Sequence, residues 1–232
     1  MKKIFLIATV AALSLSACDE ETSKDASYVT TYATMELNDS KELFWQMGSP
    51  FVDPGVTAFE GDIDLADKVV VDSDVDADEY GQYSINYSAK NSDGFAASIS
   101  RNVYVCEKAA AMNGVYTSTI VRDNNGTVSK RGPFKVVIFG VEDGNYAITD
   151  LIGGWYEFGS SYGPAYAGSG VIKLNPNNTL SVVSADPMAW GYPCELTSGT
   201  TSTYDPTTKT LVLNTNMEDV PTMKFTVTLI KN

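Results

Sequence analysis

The second half of the chain consists of short apolar runs separated by polar turns. Turn-forming sequences at residues 123–126, 142–145 and 205–208 interrupt the runs, and Gly, Asn, Asp and Pro at such points favour chain reversal. Because no stretch shows convincing helical periodicity, the pattern predicts antiparallel strands that close into a barrel, which removes exposed sheet edges. The eight predicted strands cover residues 115–121, 134–139, 146–152, 155–158, 170–174, 179–183, 210–213 and 223–230.

The first half has its own strand pattern, which predicts a β-sandwich. Residues 83–89 alternate between the two faces of a strand, residues 91–94 form a turn, and residues 97–105 supply the returning strand. A hairpin of this kind closes one sheet of a sandwich. We therefore predict an all-β chain, with a sandwich at residues 31–107, a linker at residues 108–112 and an antiparallel barrel at residues 113–232.

The charge of the chain is acidic and unevenly distributed. There are 29 acidic and 16 basic residues, which give a formal net charge of −13. Nineteen of the acidic and six of the basic residues lie between Cys18 and Lys108, whereas ten and eight follow. This step in composition supports two domains. Because nucleic acids are bound through Lys and Arg, the balance excludes them as partners.

The N-terminus predicts an export signal. Lys2 and Lys3 precede an apolar stretch at residues 4–15, and small residues stand before Cys18. The apolar stretch is too short to span about 30 Å of hydrocarbon. We therefore predict a cleaved signal peptide at residues 1–17 and a flexible tether at residues 18–30.

The sequence at residues 15–18, Leu-Ser-Ala-Cys, resembles the bacterial lipobox. The resemblance implies that Cys18 is acylated and anchors the protein in a membrane, since two or more acyl chains give stable anchoring. The acidic residues 19–21 resemble the surface-export signal of outer-membrane lipoproteins in gut anaerobes of the Bacteroidota type. They imply a lipid-anchored outer-membrane protein that faces the extracellular side. An aspartate after the cysteine also resembles an inner-membrane retention signal of other Gram-negative bacteria.

Four segments, at residues 51–58, 81–89, 93–96 and 101–105, make the stretch 31–107 resemble bacterial immunoglobulin (Ig)-like domains related to the hyaline repeat. Asp78 and Tyr83 also fit a tyrosine corner, in which a phenol hydroxyl donates a hydrogen bond to upstream backbone. The resemblance implies an Ig-like sandwich that lacks the Ig disulfide.

Four segments, at residues 113–116, 150–156, 189–192 and 203–211, make the stretch 113–232 resemble a lipocalin-like (calycin-type) C-terminal domain. Such a domain follows an Ig-like domain in lipoproteins of outer-membrane glycan-uptake loci. The resemblance implies a calycin-like barrel and, as partners, the transporter and receptor lipoproteins of the same locus.

The chain contains no histidine, which excludes hydrolytic triads and histidine-ligated metals. The G-x-S-x-G sequence at residues 159–163 therefore predicts a loop and not a nucleophile elbow. Two carboxylates could still cleave a glycosidic bond, but we interpret the acidic residues of the barrel as solvated surface groups. The barrel's candidate carboxylates are Asp150, Glu157, Asp186 and Glu195.

We predict no catalytic residue, no metal site and no cofactor. The alternating acidic residues Asp72, Asp74, Asp76 and Asp78 do not fit an EF-hand, because Ala77 and Tyr83 replace its glycine and glutamate. We interpret them as a solvent face. In an oxidising compartment Cys106 and Cys194 could form a disulfide, but we favour two buried free thiols.

The most specific chemical feature is a group of aromatic residues interleaved with glycines between residues 155 and 192. Flat aromatic rings pack against the C–H faces of sugars, which predicts non-catalytic glycan binding. The alternatives are that these rings fill the barrel, giving a structural or adhesive subunit without a pocket, or that the chain is a carboxylate glycosidase. The predicted ligand-binding residues are Trp155, Tyr162, Tyr166, Trp190 and Tyr192.

Overall fold

The computed structural model describes residues 29–232. The predicted signal peptide, Cys18 and residues 19–28 of the predicted tether lie outside this range. Within it, no helix is both long enough and apolar enough to cross a membrane.

The N-terminal domain is a sandwich of two sheets. One sheet has the order β1-β3-β4, and the other has the order β2-β7-β6-β5, in which β2 pairs with β7 in parallel. The strands are β1 (Ala33–Leu37), β2 (Glu42–Gln46), β3 (Val56–Glu60), β4 (Ile63–Asp64), β5 (Val70–Ser73), β6 (Gly81–Lys90) and β7 (Ala96–Cys106).

Alternating residues of β6 and β7 build the core of this sandwich. Ile85, Tyr87, Val103 and Val105 are buried between the sheets, since their side chains point to the same face at intervals of two. Tyr83 donates a hydrogen bond to the Glu79 carbonyl at 3.0 Å, which confirms the predicted tyrosine corner. Apolar packing and this local bond take the place of an inter-sheet disulfide.

The core of the sandwich also contains a buried ion pair. Arg101 is fully buried, and its Nη1 lies 3.1 Å from Asp53 Oδ1. Tyr87 donates its hydroxyl hydrogen to the same carboxylate oxygen at 2.5 Å. Arg101 Nε donates to the Ser40 carbonyl at 3.0 Å. These bonds join β7 and β6 to the loop that precedes β3.

The C-terminal domain is a nine-stranded antiparallel sheet that curls into a nearly closed barrel. Its strands are β8 (Gly114–Asn124), β9 (Thr127–Gly140), β10 (Asn145–Ile148), β11 (Gly170–Leu174), β12 (Leu180–Ala185), β13 (Cys194–Leu196), β14 (Thr203–Asp205), β15 (Thr210–Met217) and β16 (Val220–Lys231). The order along the sheet is β12-β11-β10-β9-β8-β16-β15-β13, and β14 also pairs with β15. A bridge between Thr179 and Thr203 joins the two ends of the sheet.

The strand predictions for the barrel need three corrections. Residues 155–158 are not a strand, and the strand predicted at residues 146–152 ends at Ile148. The cause is a tight turn that begins at Asp150 and requires left-handed backbone at Gly153 and Gly154, with φ of 72° and 90°. The sequence pattern also missed β13, which is only three residues long, whereas β14 and the start of β15 fall within the segment 203–211 that carries the resemblance.

The two domains share an apolar cluster. The outward side chains Val137 and Phe139 of β9 are buried against Tyr104 and Cys106 of β7. The rings of Tyr104 and Phe139 are 5.3 Å apart. Lys135 on β9 forms an ion pair of 2.7 Å with Glu42 on β2. The contacts hold the sandwich against the outer wall of the barrel.

Candidate functional site

Residues 149–169, which connect β10 to β11, fold inward and close the barrel; we call this segment the plug loop. Asp150 starts its turn, because Oδ1 accepts the Ile152 N–H at 2.7 Å and Oδ2 accepts the Gly154 N–H at 3.0 Å. Thr215 on β15 donates to the Leu151 carbonyl at 3.1 Å. Burial raises the pKa of Asp150 to about 7, against the opposing effect of these N–H donors.

Trp155 lies at the centre of the plug loop and inside the barrel. Only 1% of its surface is exposed, and its ring meets Phe225 edge-on at 5.9 Å. The guanidinium carbons of Arg122 and Arg131 lie 4.6 and 4.4 Å from its ring centroid. The prediction that Trp155 binds a ligand is therefore wrong, because a ring with no face exposed to solvent cannot pack against a sugar. Trp155 fills the core, as the packing alternative expected.

Tyr162, Tyr166 and Trp190 come together on the surface, and we call these three residues the aromatic patch. Trp190 lies 4.6 Å from Tyr166 and 5.8 Å from Tyr162, measured between ring centroids. Tyr162 and Tyr166 are 5.3 Å apart. Tyr162 is 53% exposed and Trp190 41% exposed, so both retain surface that a ligand can contact.

Tyr156 supports the aromatic patch from below. It is buried, it stacks on Tyr162 with an interplanar angle of 8°, and it meets Trp190 edge-on at 4.8 Å. The Ala189 N–H donates to the Ala165 carbonyl at 2.9 Å, which ties the loop of Trp190 to the plug loop. Tyr192 lies in that same loop and is 38% exposed. The rings therefore sit on a buried base.

A cavity lies between the two domains, and we call it the interdomain cleft. Its volume is about 580 Å³. Tyr104 and Gln82 form the side contributed by the sandwich, and outward residues of β9 to β12 form its floor. Part of the plug loop, including Phe158, Pro164 and Ala167, forms the remaining wall. The plug loop thus borders both the cleft and the aromatic patch.

Two of the four candidate carboxylates, Glu157 and Asp186, line this cleft. Asp186 accepts a hydrogen bond from Ser169 Oγ at 2.8 Å. Burial raises the pKa of Glu157, and the charge of Lys135 partly opposes this effect. Asp150 is instead buried in its turn, and Glu195 accepts from Asn216 Nδ2 at 2.7 Å on the paired strands β13 and β15.

Glu42 anchors the sandwich side of the cleft. Burial opposes its ionisation, but hydrogen bonds from Lys135, Asn102 and Tyr104 outweigh that effect and lower its pKa. The carboxylate therefore holds Lys135 and Tyr104 on the same side of the cleft. Sequence reasoning missed this cleft. The sequence contained one indication of it, the run at residues 136–139, which is apolar on both faces of its strand. Such a run indicates that both faces are buried, and therefore that another part of the chain covers the outer face of the barrel.

The structure also places the remaining features that the sequence singled out. In residues 29–232 no three acidic or cysteine side chains gather closely enough to hold a metal ion. Two of the alternating aspartates accept backbone hydrogen bonds: Asp74 accepts the Ser84 N–H at 2.6 Å, and Asp76 accepts the Asp78 N–H at 2.9 Å. Cys106 and Cys194 are buried and free, which confirms the favoured interpretation. Ser161, the serine of the G-x-S-x-G pattern, lies in a loop with its Oγ 3.5 Å from the Phe158 carbonyl, and the neighbouring Ser160 accepts a hydrogen bond from Arg131 Nη1 at 2.6 Å.

Comparisons with known proteins match this architecture. A family model described as a bacterial surface protein, Ig-like domain, matches residues 35–105, and a family model of a C-terminal domain matches residues 106–231. No curated protein matches the chain.

Two solved structures are similar to the chain to different degrees. The crystal structure of the lipoprotein BT2262 from Bacteroides thetaiotaomicron is 30% identical, with a TM-score of 0.68 over 86% of this chain and 100% of that chain. The structure of CBM51-2 in complex with GlcNAc and INT domains from Clostridium perfringens ZmpB is 14% identical over 85% of this chain and 43% of that chain. Its TM-score of 0.29 is too low to support an argument.

The similarity to BT2262 extends over both domains and agrees with a lipoprotein of the Bacteroides type. This chain, a bacterial surface Ig-like domain followed by the matched C-terminal domain, belongs to the same family as the Bacteroides thetaiotaomicron lipoprotein BT2262.

Proposed function

We propose that the protein is anchored through Cys18 to the outer membrane, faces the extracellular side, and binds glycans without cleaving them. The observation that carries the proposal is the aromatic patch: Trp190 and Tyr162 are partly exposed, and their rings pack edge-on at 5.8 Å. Rings held in this way lose little conformational freedom when a ligand binds. They offer apolar faces to sugar C–H groups, together with hydroxyl and indole donors at their edges.

The buried base of the aromatic patch supports a binding role. Tyr156 stacks on Tyr162 and contacts Trp190, so the exposed rings are already fixed in the free protein. An extracellular position would bring this surface into contact with polysaccharides, and transporter and receptor lipoproteins of the same uptake locus would be the partners.

Affinity electrophoresis of the full chain through gels that contain different polysaccharides tests the proposal. We expect at least one polysaccharide to retard the protein, and Trp190→Ala to remove most of that retardation. Tyr32→Ala is the matched control, because Tyr32 is an aromatic residue of the sandwich that is 64% exposed and lies outside the aromatic patch. Equal retardation of both variants on every polysaccharide would refute the role of the aromatic patch.

The anchor is tested separately. We expect Cys18→Ser to release the protein from the membrane fraction, and external protease to digest the wild-type protein on intact cells. Protection of the wild-type protein until the outer membrane is permeabilised would contradict the extracellular orientation.

A second candidate function is a structural or adhesive subunit. The observation in its favour is that the barrel interior is filled by the plug loop, with Trp155, Tyr116 and Phe225 all nearly inaccessible. A filled barrel holds no ligand inside it. Under this alternative the aromatic patch contacts another protein, and no polysaccharide retards the chain.

A further inference from the structure

The interdomain cleft is a preformed cavity. Polar contacts join the two domains beside the cleft: Glu42 of the sandwich pairs with Lys135 of the barrel at 2.7 Å, and it accepts the hydroxyl hydrogen of Tyr104 in its own domain at 2.7 Å. Below these polar contacts, the rings of Tyr104 and Phe139 pack at 5.3 Å. The Glu107 N–H also donates to the Gly140 carbonyl at 2.9 Å, directly at the domain connection. The domains therefore need no rearrangement to form the cleft.

The lining of the cleft combines hydrogen-bonding groups with three aromatic residues, Tyr104, Phe139 and Phe158. The volume of about 580 Å³ lies inside the usual range of about 300–1,000 Å³ for small-molecule sites. Phe158 is 42% exposed and presents an apolar face. Hydroxyl and amide groups that can donate and accept come from Gln82, Thr149, Ser169 and Ser184.

The charges of the cleft narrow the class of ligand. Glu157 and Asp186 place two carboxyl groups in the lining, and the single cation, Lys135, is already paired with Glu42. Because carboxylates outnumber the cation, an anionic ligand would meet net negative charge in the cleft. Carboxylates are strong acceptors for hydroxyl donors, and such charge-assisted bonds are about twice as strong as neutral ones. Uncharged polyols with an apolar ring face satisfy both the carboxylates and Phe158.

We propose that the interdomain cleft is a binding site for an uncharged oligosaccharide, separate from the aromatic patch. Glu157 and Asp186 accept hydrogen bonds from sugar hydroxyls, and Phe158 packs against a ring face. This site does not require the aromatic patch to bind anything. The plug loop contributes residues to both surfaces: Phe158 lines the cleft, and Tyr162 and Tyr166 belong to the aromatic patch.

Isothermal titration of the full chain with short oligosaccharides of xylan, mannan, glucan and galactan type, and with oligogalacturonide as the anionic counterpart, tests this proposal. We expect at least one uncharged oligosaccharide to bind and oligogalacturonide not to bind. Asp186→Asn and Glu157→Gln should each weaken binding about tenfold, which is the loss expected for one charge-assisted hydrogen bond.

A steric variant keeps the test independent of charge. Ser184→Trp puts a large side chain into the cleft lining and should abolish binding. The control is Val128→Trp, which adds the same side chain at a 60% exposed position on the far hairpin of the barrel. Thermal unfolding should confirm that both variants fold. Affinity electrophoresis of Ser184→Trp separates failure of this site from failure of the aromatic patch, because Ser184 lies in the cleft lining and outside the aromatic patch.

Three results would overturn the proposal. These are the absence of binding by every uncharged oligosaccharide, tighter binding of oligogalacturonide than of any uncharged probe, and binding that survives Ser184→Trp in a folded protein.

Discussion

The buried ion pair of the sandwich should respond asymmetrically to removal of either partner. Arg101 is fully buried, whereas the Asp53 side chain is 28% exposed. We compare Asp53→Asn, which leaves the guanidinium group without a counter-charge, with Arg101→Met, which leaves the carboxylate. Asn keeps the shape of the aspartate and can still accept the Gly55 N–H that Asp53 accepts at 2.9 Å.

The expected magnitudes follow from what each variant leaves behind. Removing one partner of a buried ion pair typically costs about 3–5 kcal/mol, because the other charge stays desolvated. Asp53→Asn should fall within this range, since Arg101 has no access to water. Arg101→Met should cost about 2–3 kcal/mol, because Asp53 keeps the Tyr87 hydroxyl at 2.5 Å and reaches solvent. The double variant should be less destabilised than the sum of the single variants.

The assay must report on the sandwich alone. Urea-induced unfolding followed by pulsed hydrogen exchange and mass spectrometry of peptides from β6 and β7 gives the free energy of unfolding of this domain. Peptides from β15 and β16 serve as the internal control and should keep the wild-type midpoint. A larger cost for Arg101→Met than for Asp53→Asn, or strict additivity in the double variant, would refute the argument from burial.

Three further predictions concern the barrel and the domain interface. Gly153→Ala should destabilise the barrel by about 1–3 kcal/mol more than Gly199→Ala, as measured by differential scanning calorimetry. Both glycines have positive φ, but a Cβ at Gly153 would lie 2.6 Å from Val227 Cγ1, whereas a Cβ at Gly199 would meet open space. The raised pKa of Asp150 means that the native state keeps a proton which the unfolded state releases, so the contribution of this group to stability should fall as pH rises from about 4 to 7. Asp150→Asn should remove that pH dependence. The difference in Tm between wild type and variant, measured once at pH 5 and once at pH 8, tests this prediction, and an equal difference at the two pH values would contradict the raised pKa. Phe139→Ala should cost about 3 kcal/mol because the ring is nearly fully buried between the domains, and should accelerate hydrogen exchange in β9, whereas Val128→Ala at an exposed position should not.

Alternation along the chain was sufficient to predict most of the fold. The strands β6 to β9, β11, β12, β15 and β16 all contain a run that alternates or is apolar, because each has at least one buried face. The strand predicted at residues 155–158 was wrong. Their aromatic composition favours a strand, but Asp150, Gly153 and Gly154 fix a turn just before them. That outcome depends on hydrogen bonds to one buried carboxylate, which no periodicity reveals.

The candidate site was predictable only in part. Tyr162, Tyr166 and Trp190 were identified by their density along the chain, and the structure brings them into contact. Density could not separate Trp155 from them, because burial depends on the inward course of the plug loop. The interdomain cleft could not be predicted at all, since its lining comes from β6, β7, β9 to β12 and the plug loop, and it exists only once the two domains pack together.

The plug loop has a consequence for how this family diversifies. One segment supplies the central core side chain, two rings of the aromatic patch and a wall of the interdomain cleft. A single substitution in the plug loop that alters one surface can therefore also displace Trp155 or alter the other surface. We therefore expect members of the family that differ at either surface to differ along the whole of this segment, while the strands on either side of it change less.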